Sequence, residues 1–142
     1  MLLEKPLQMH YDSIADAFPE VDPGIIPFGS RILVQVRVAK KKTAGGIVMP
    51  DEVRKTEAAN TQVSRVVAIG PLAFKNRTTM APWPEGAWCN VGDFVRTPKY
   101  GGDRWTVVHK DEDEVEVEFV IFNDLDIVGR VTSDPLKIRA FF

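Results

Sequence analysis

An all-β domain is the fold class this sequence predicts, and three observations predict it. Valines and isoleucines cluster in short runs, most of which alternate with polar residues. Ten glycines and ten prolines punctuate those runs, leaving room for strands and turns rather than long helices. The chain has 142 residues, 44% hydrophobic and 27% charged, which suits one ordinary domain folding around its own core.

The first 24 residues read as an N-terminal extension. Asp12-Ser13-Ile14-Ala15-Asp16-Ala17-Phe18 is expected to form about two helical turns, with Asp12 or Ser13 as N-cap and Pro19 as the stop. Such an arm either packs on its own domain or grips a neighbouring subunit. From Arg31 to Val38 the residues Ile32, Val34, Val36 and Val38 alternate with Leu33, Gln35 and Arg37, predicting a strand with one buried face. A second strand is expected at Val63 to Ile69, closed by Gly70-Pro71. Between the two lies a loop over about 39–61, long enough that a compact domain retains it only for function or leaves it disordered.

An irregular, Trp-rich insertion spans about 74–90 and holds Trp83 and Trp88. Val91-Gly92-Asp93 reads as a turn into a strand at Phe94-Val95-Arg96-Thr97, and Tyr100-Gly101-Gly102-Asp103 as a turn into Trp105-Thr106-Val107-Val108. Val115 to Ile121 forms another half-buried strand, with Glu116 and Glu118 facing away from its apolar positions. Asn123-Asp124-Leu125-Asp126 turns the chain into a last strand, Ile127 to Val131. Residues 132–142 form a C-terminal extension. Short strands with turns between them describe a small barrel or sandwich.

Composition narrows the function. Lys and Arg total 18 against 20 Asp and Glu, a net charge of -2, so no basic excess favours a polyanion partner and nucleic acid is not an expected ligand. The single cysteine, Cys89, provides neither an internal disulfide nor a multi-cysteine zinc site. No run approaches the ~18 apolar residues of a membrane span, and Met1 to Pro6 lacks a basic start followed by an apolar run. A cytoplasmic protein is expected, with no membrane association. His10 and His109 stand far apart without a nucleophile motif, and no phosphate-cradling glycine loop is present. Catalytic residues, cofactor and metal are therefore all expected to be absent, and any ATP belongs to a partner. The acidic run Asp111 to Glu114 reads as a solvated turn, and His109 with Asp111 and Asp113 as charge decoration rather than a metal cluster. The alternative function is single-stranded nucleic-acid binding on a small β-barrel. There Trp83, Trp88, Tyr100 and Trp105 would stack bases, helped by Arg77, Arg96, Lys99 and Arg104.

The distinctive motif is Ile47-Val48-Met49, preceded by Gly45-Gly46 in the middle of the polar loop. It is either a short edge strand on its own barrel or a tethered apolar peptide that orders on a partner. Here the sequence resembles the GroES-type co-chaperonins, the small lids of bacterial chaperonins. Thr43-Ala44-Gly45-Gly46-Ile47-Val48-Met49 is similar to that family's mobile loop, where Gly-Gly-Ile-Val-Leu is usual. Ile26 to Val34 is similar to its Pro-Leu-x-Asp-Arg-Val-x-Val start, Val66-Val67-Ala68-Ile69-Gly70 to a strand end, Val91-Gly92-Asp93-Phe94-Val95 to a turn and strand, and Asp124 to Val128 to the close.

The resemblance implies a GroES-like β-barrel domain over 25–131 that assembles as a homo-oligomer, a seven-membered ring with terminal strands pairing between neighbours. Gly45, Gly46, Ile47, Val48 and Met49 would be the site that binds a GroEL-type chaperonin. Folding substrate proteins would be the enclosed clients and ATP would sit in the chaperonin. Met49 in place of Leu conserves volume, while Pro50 removes a backbone donor directly afterwards. The N-terminal extension, Trp-rich insertion and C-terminal extension depart from ordinary bacterial lids. They resemble bacteriophage co-chaperonins, which replace the host lid to enclose a bulky phage protein.

Overall fold

The computed structural model describes residues 13–38, 63–98, 100–109 and 115–138. Its first element, α1 (Ile14–Ala17), is one turn rather than two among these residues. The Ser13 hydroxyl caps it by accepting the Asp16 N–H at 3.2 Å. Phe18 has already left the helical region, at φ -131° and ψ 70°, because the residue before a proline is sterically pushed out of the α region.

Six strands follow: β1 (Arg31–Val36), β2 (Val63–Ile69), β3 (Phe94–Arg96), β4 (Asp103–His109), β5 (Val115–Asn123) and β6 (Gly129–Arg130), with a 3₁₀ turn at Asp124–Asp126. They form one antiparallel sheet in the order β4-β5-β1-β2-β3-β6, the small all-β architecture that the alternating runs predict. The expected last strand, Ile127 to Val131, is shorter than its sequence suggests. Ile127 turns into the core and its N–H bonds back to the Asp124 carbonyl. The N–H groups of Val128 and Val131 still reach the Arg96 and Phe94 carbonyls, at 3.0 and 2.8 Å.

Along the β1–β2 pair the register shifts between Leu33 and Val34, whose partners are Ala68 and Val66. Val67 is the extra residue, and the bulge re-aims the remainder of β2. Gly70 closes that strand where no side chain fits: a Cβ there would lie 2.2 Å from the Gly29 carbonyl oxygen. That close approach lets Gly70 N–H reach the Arg31 carbonyl and Leu72 N–H the Gly29 carbonyl, at 2.8 and 2.9 Å.

The expectation of one buried face on β1 is incorrect. Ile32, Val34 and Val36 do line an inner core with Val66, Val95, Val120 and Phe122. On the opposite face Leu33, Gln35 and Arg37 are buried as well. The segment after α1 covers that second face. Gln35 donates from Nε2 to the Pro19 carbonyl at 2.7 Å, Trp105 donates its indole N–H to the Pro23 carbonyl at 2.9 Å, and Val21 packs with Leu33, Val117 and Phe119. Of the two readings of the N-terminal arm, its described part packs on its own sheet.

A third cluster joins both ends of the described chain. Ala17, Phe18 and Val63 pack with Phe94, Val131, Leu136 and Ile138, and the Phe18 and Phe94 rings meet at 5.0 Å. Phe18 is 1% exposed. Phe18→Ala should therefore cost about 3 kcal/mol or more of stability, read as a lower urea midpoint at unchanged slope.

Candidate functional site

The predicted functional loop departs from and returns to one point of the sheet. The last β1–β2 pair is Val36 with Ser64, after which the Arg37 N–H donates to the Val63 carbonyl at 3.2 Å and the Val38 N–H to the Ala17 carbonyl at 2.9 Å. Residues 39–62 are thus bracketed by strand ends one hydrogen bond apart. Gly45, Gly46, Ile47, Val48 and Met49 lie outside the described residues, so what the structure defines is the root that presents them.

That root is held from two directions, and by residues read in the sequence as facing solvent. Arg37 is 6% exposed, and its Nη1 donates to the carbonyls of Pro135 and Ile138 at 3.0 and 2.5 Å. Gln35, beside it on the same face, accepts from Arg65 Nη2 at 2.8 Å while donating to Pro19. The alternation of β1 hides these roles, since a polar residue on an exposed face and one on a covered face look alike in sequence. A usable signal was the apolar content of the flanking segments: Phe18, Val21, Leu136 and Ile138 need a surface to bury, and only this face remains.

The Trp-rich insertion closes the inner face. Phe74, Trp83 and Trp88 pack together, with centroids 5.5 Å apart for Phe74–Trp83 and 4.8 Å for Trp83–Trp88, and they join the inner core. From there Lys75 bridges to Pro82, and Asn76 Oδ1 accepts the N–H groups of Thr78 and Thr79 at 2.8 and 3.1 Å, forming a small tip. Phe74 carries φ +60°, a left-handed conformation that is costly for a residue with a large side chain. The buried Asp124 carboxylate holds it there, accepting the Phe74 N–H at 3.0 Å, while the Asp124 N–H reaches the Ser30 carbonyl at 3.0 Å. Arg77 reaches the Ser30 hydroxyl from the insertion.

The four aromatics of the alternative reading do not share a platform. Trp83 and Trp88 belong to the inner core, Trp105 stacks on Phe119 in the opposite cluster, with centroids 6.0 Å apart, and Tyr100 is exposed. Arg104 is engaged by Glu118 at 3.4 Å and by the Gly101 carbonyl at 3.0 Å, over the Phe122 ring. Lys99 lies outside the described residues, as do Asp111, Asp113 and the side chain of His109. Among the described residues no three of His, Cys, Asp and Glu gather as a metal site, and no helix is long and apolar enough to cross a membrane. Cys89 sits in the inner core, where burial first, and the nearby Asp93 carboxylate second, push its thiol up to about 11, with Arg130 opposing. It is a packing residue rather than a nucleophile.

Residues 24–131 match the family model described as the chaperonin 10 Kd subunit. The chain belongs to that co-chaperonin family. It is 33% identical over 111 residues to a mitochondrial 10 kDa heat shock protein of Saccharomyces cerevisiae, covering 78% of this chain and 91% of the yeast protein. The mitochondrial 10 kDa heat shock protein of Oryzias latipes is 32% identical over 105 residues, 74% of this chain and 91% of that one. The co-chaperonin GroES of Tetragenococcus halophilus is 33% identical over 105 residues, 74% of this chain and 96% of its own length. The co-chaperonin resemblance read from the sequence is thereby confirmed at the level of the family. The family match ends at residue 131, whereas the root is completed by Pro135, Leu136 and Ile138, beyond it.

Two outcomes follow from these contacts. Asp124→Ala should cost about 1.5–3 kcal/mol, the range for a hydrogen bond to a charged group, with the insertion losing its anchor; chemical denaturation and the fluorescence of Trp83 and Trp88 would report it. Because the folded thiol titrates near 11 and the unfolded one near 9.0, Cys89 contributes stability that is full below about pH 9 and is lost as the pH rises to about 11. The alkaline fall in stability should be shallower in Cys89→Ala than in the wild type, by roughly 1–3 kcal/mol between those pH values.

Proposed function

We propose that this co-chaperonin acts as the ring-shaped lid of a GroEL-type chaperonin, seated in a nucleotide-dependent way through residues 39–62 of each subunit. The observation that supports this reading best is the root: strand ends joined by the Arg37–Val63 hydrogen bond, within the span matched by the family model. A peptide presented from a rigid hairpin base offers its apolar residues at a fixed place while its own backbone remains available to a partner groove. Ile47, Val48 and Met49 are the residues that enter the groove, and Gly45 and Gly46 permit the backbone turn ahead of them.

Three such side chains contribute a few kcal/mol on burial at about 25 cal/mol per Å², much of it offset by ordering the segment. One contact is weak, but several subunits in one ring engage together, so avidity is high while each contact remains reversible. We take the ring to be a homoheptamer, following the family. ATP binding and hydrolysis reside in the chaperonin, and the lid itself needs no catalytic residue or cofactor. The enclosed client is a folding protein in the bacterial cytoplasm. A bulky phage protein in an infected cell fits the additional segments around the matched span.

Size-exclusion chromatography with a bacterial chaperonin, with and without ATP or ADP, tests the proposal. The expected result is nucleotide-dependent co-elution of an oligomer; a chain that ignores the chaperonin in every nucleotide state overturns it. Ile47→Asp should abolish co-elution while leaving the thermal unfolding midpoint and oligomeric state unchanged.

A further inference from the structure

Arg37 is buried in a position where an apolar residue of similar length would be easier to accommodate. Removing a guanidinium from water is costly, and apolar replacement of buried charged groups is often neutral or stabilising. The two carbonyls it meets, those of Pro135 and Ile138, belong to a turn that the Asp134 carboxylate organises by accepting the Leu136 N–H at 2.9 Å. The backbone of the same residue donates to Val63 on the other side of the hairpin. Its neighbour Val38 donates to Ala17, and Leu136 and Ile138 pack on Ala17, Phe18 and Val63. Arg37 therefore ties the segment at 135–138 to both strand ends flanking 39–62, and Val38 beside it adds the last residue of α1.

We propose that Arg37 is a positioning residue for chaperonin binding: by fastening the 135–138 turn to the hairpin root, it fixes the geometry from which residues 39–62 depart. The inference rests on the lid reading above, but its structural half stands without it. A fixed root narrows the conformations from which the binding segment starts and so raises the fraction of subunits competent to engage. With the guanidinium removed, the 135–138 turn loses its polar anchor, the third cluster loosens, and the Arg37–Val63 and Val38–Ala17 hydrogen bonds open more often. Both carbonyls accept from the one nitrogen Nη1, which the rigid, planar guanidinium holds in place more firmly than a flexible ammonium would.

The test combines two readouts on the full chain, for Arg37→Met, Arg37→Lys and Leu136→Ala. Arg37→Met keeps the apolar stem and removes the donors, and Leu136→Ala loosens the turn without touching the charge. Hydrogen exchange of the Val38 amide should be at least about tenfold faster in Arg37→Met and Leu136→Ala, with the β4–β5 amides unchanged; an unchanged Val38 amide overturns the proposal. Chaperonin affinity in the presence of nucleotide should fall about tenfold in both variants at unchanged oligomeric state, and Arg37→Lys should recover part of it. Wild-type affinity in the two variants, with the wild type itself binding, overturns the positioning role alone. A wild type that does not bind overturns the lid reading, and the exchange data then decide whether Arg37 fastens the root. Should Arg37→Met not fold, Leu136→Ala carries both readouts.

Discussion

Burial of β1 on both faces is the constraint around which the molecule is arranged. A central strand with two covered faces must place its side chains against protein, and from Ile32 onward that includes an amide and, just beyond β1, a guanidinium. Gln35 and Arg37 lose water on burial, and each meets backbone carbonyls from segments outside the sheet. The unmet alternative costs roughly 1–3 kcal/mol for a neutral polar group and more for a charge, so the flanking segments are required where they are. The inner face makes the same demand without polar groups, and the insertion answers it with Phe74, Trp83 and Trp88.

Segments outside the sheet are thus part of the core. The stretch from Ala17 to Pro23 and the turn at 135–138 cover one face, the insertion covers the other, and the loop root lies where the first two meet. The family resemblance ends at residue 131, yet the contacts that hold the root continue to Ile138. The hairpin within the matched span is in this way held by contacts from a segment beyond it.

Much of the sheet was legible from alternation alone. Val63–Ile69 is the strand the sequence predicts, residue for residue; in β5 the half-buried pattern expected from Glu116 and Glu118 opposite Val117 and Phe119 holds only for the first half, since Val120 and Phe122 are buried on the other face. Elsewhere local pattern misled. Ile127 looks like the start of a strand but serves the core, because Asp124 draws the chain into a turn just before it. Asp124 itself read as a turn former, whereas its larger task, holding Phe74 in a left-handed conformation fifty residues away, involves a partner that no local pattern names.

The amino-acid sequence by itself determined the all-β class, the positions of most strands, the co-chaperonin family and the apolar motif Ile47-Val48-Met49, since each depends on neighbours within a few residues or on a recognisable order of short motifs. Tertiary structure alone decided which polar residues are buried, which segment covers which face, and that Arg37 joins residues about a hundred positions apart. The physical reason is that periodicity records which side of a strand a residue occupies, while the need for a partner arises only when another part of the chain takes the water away.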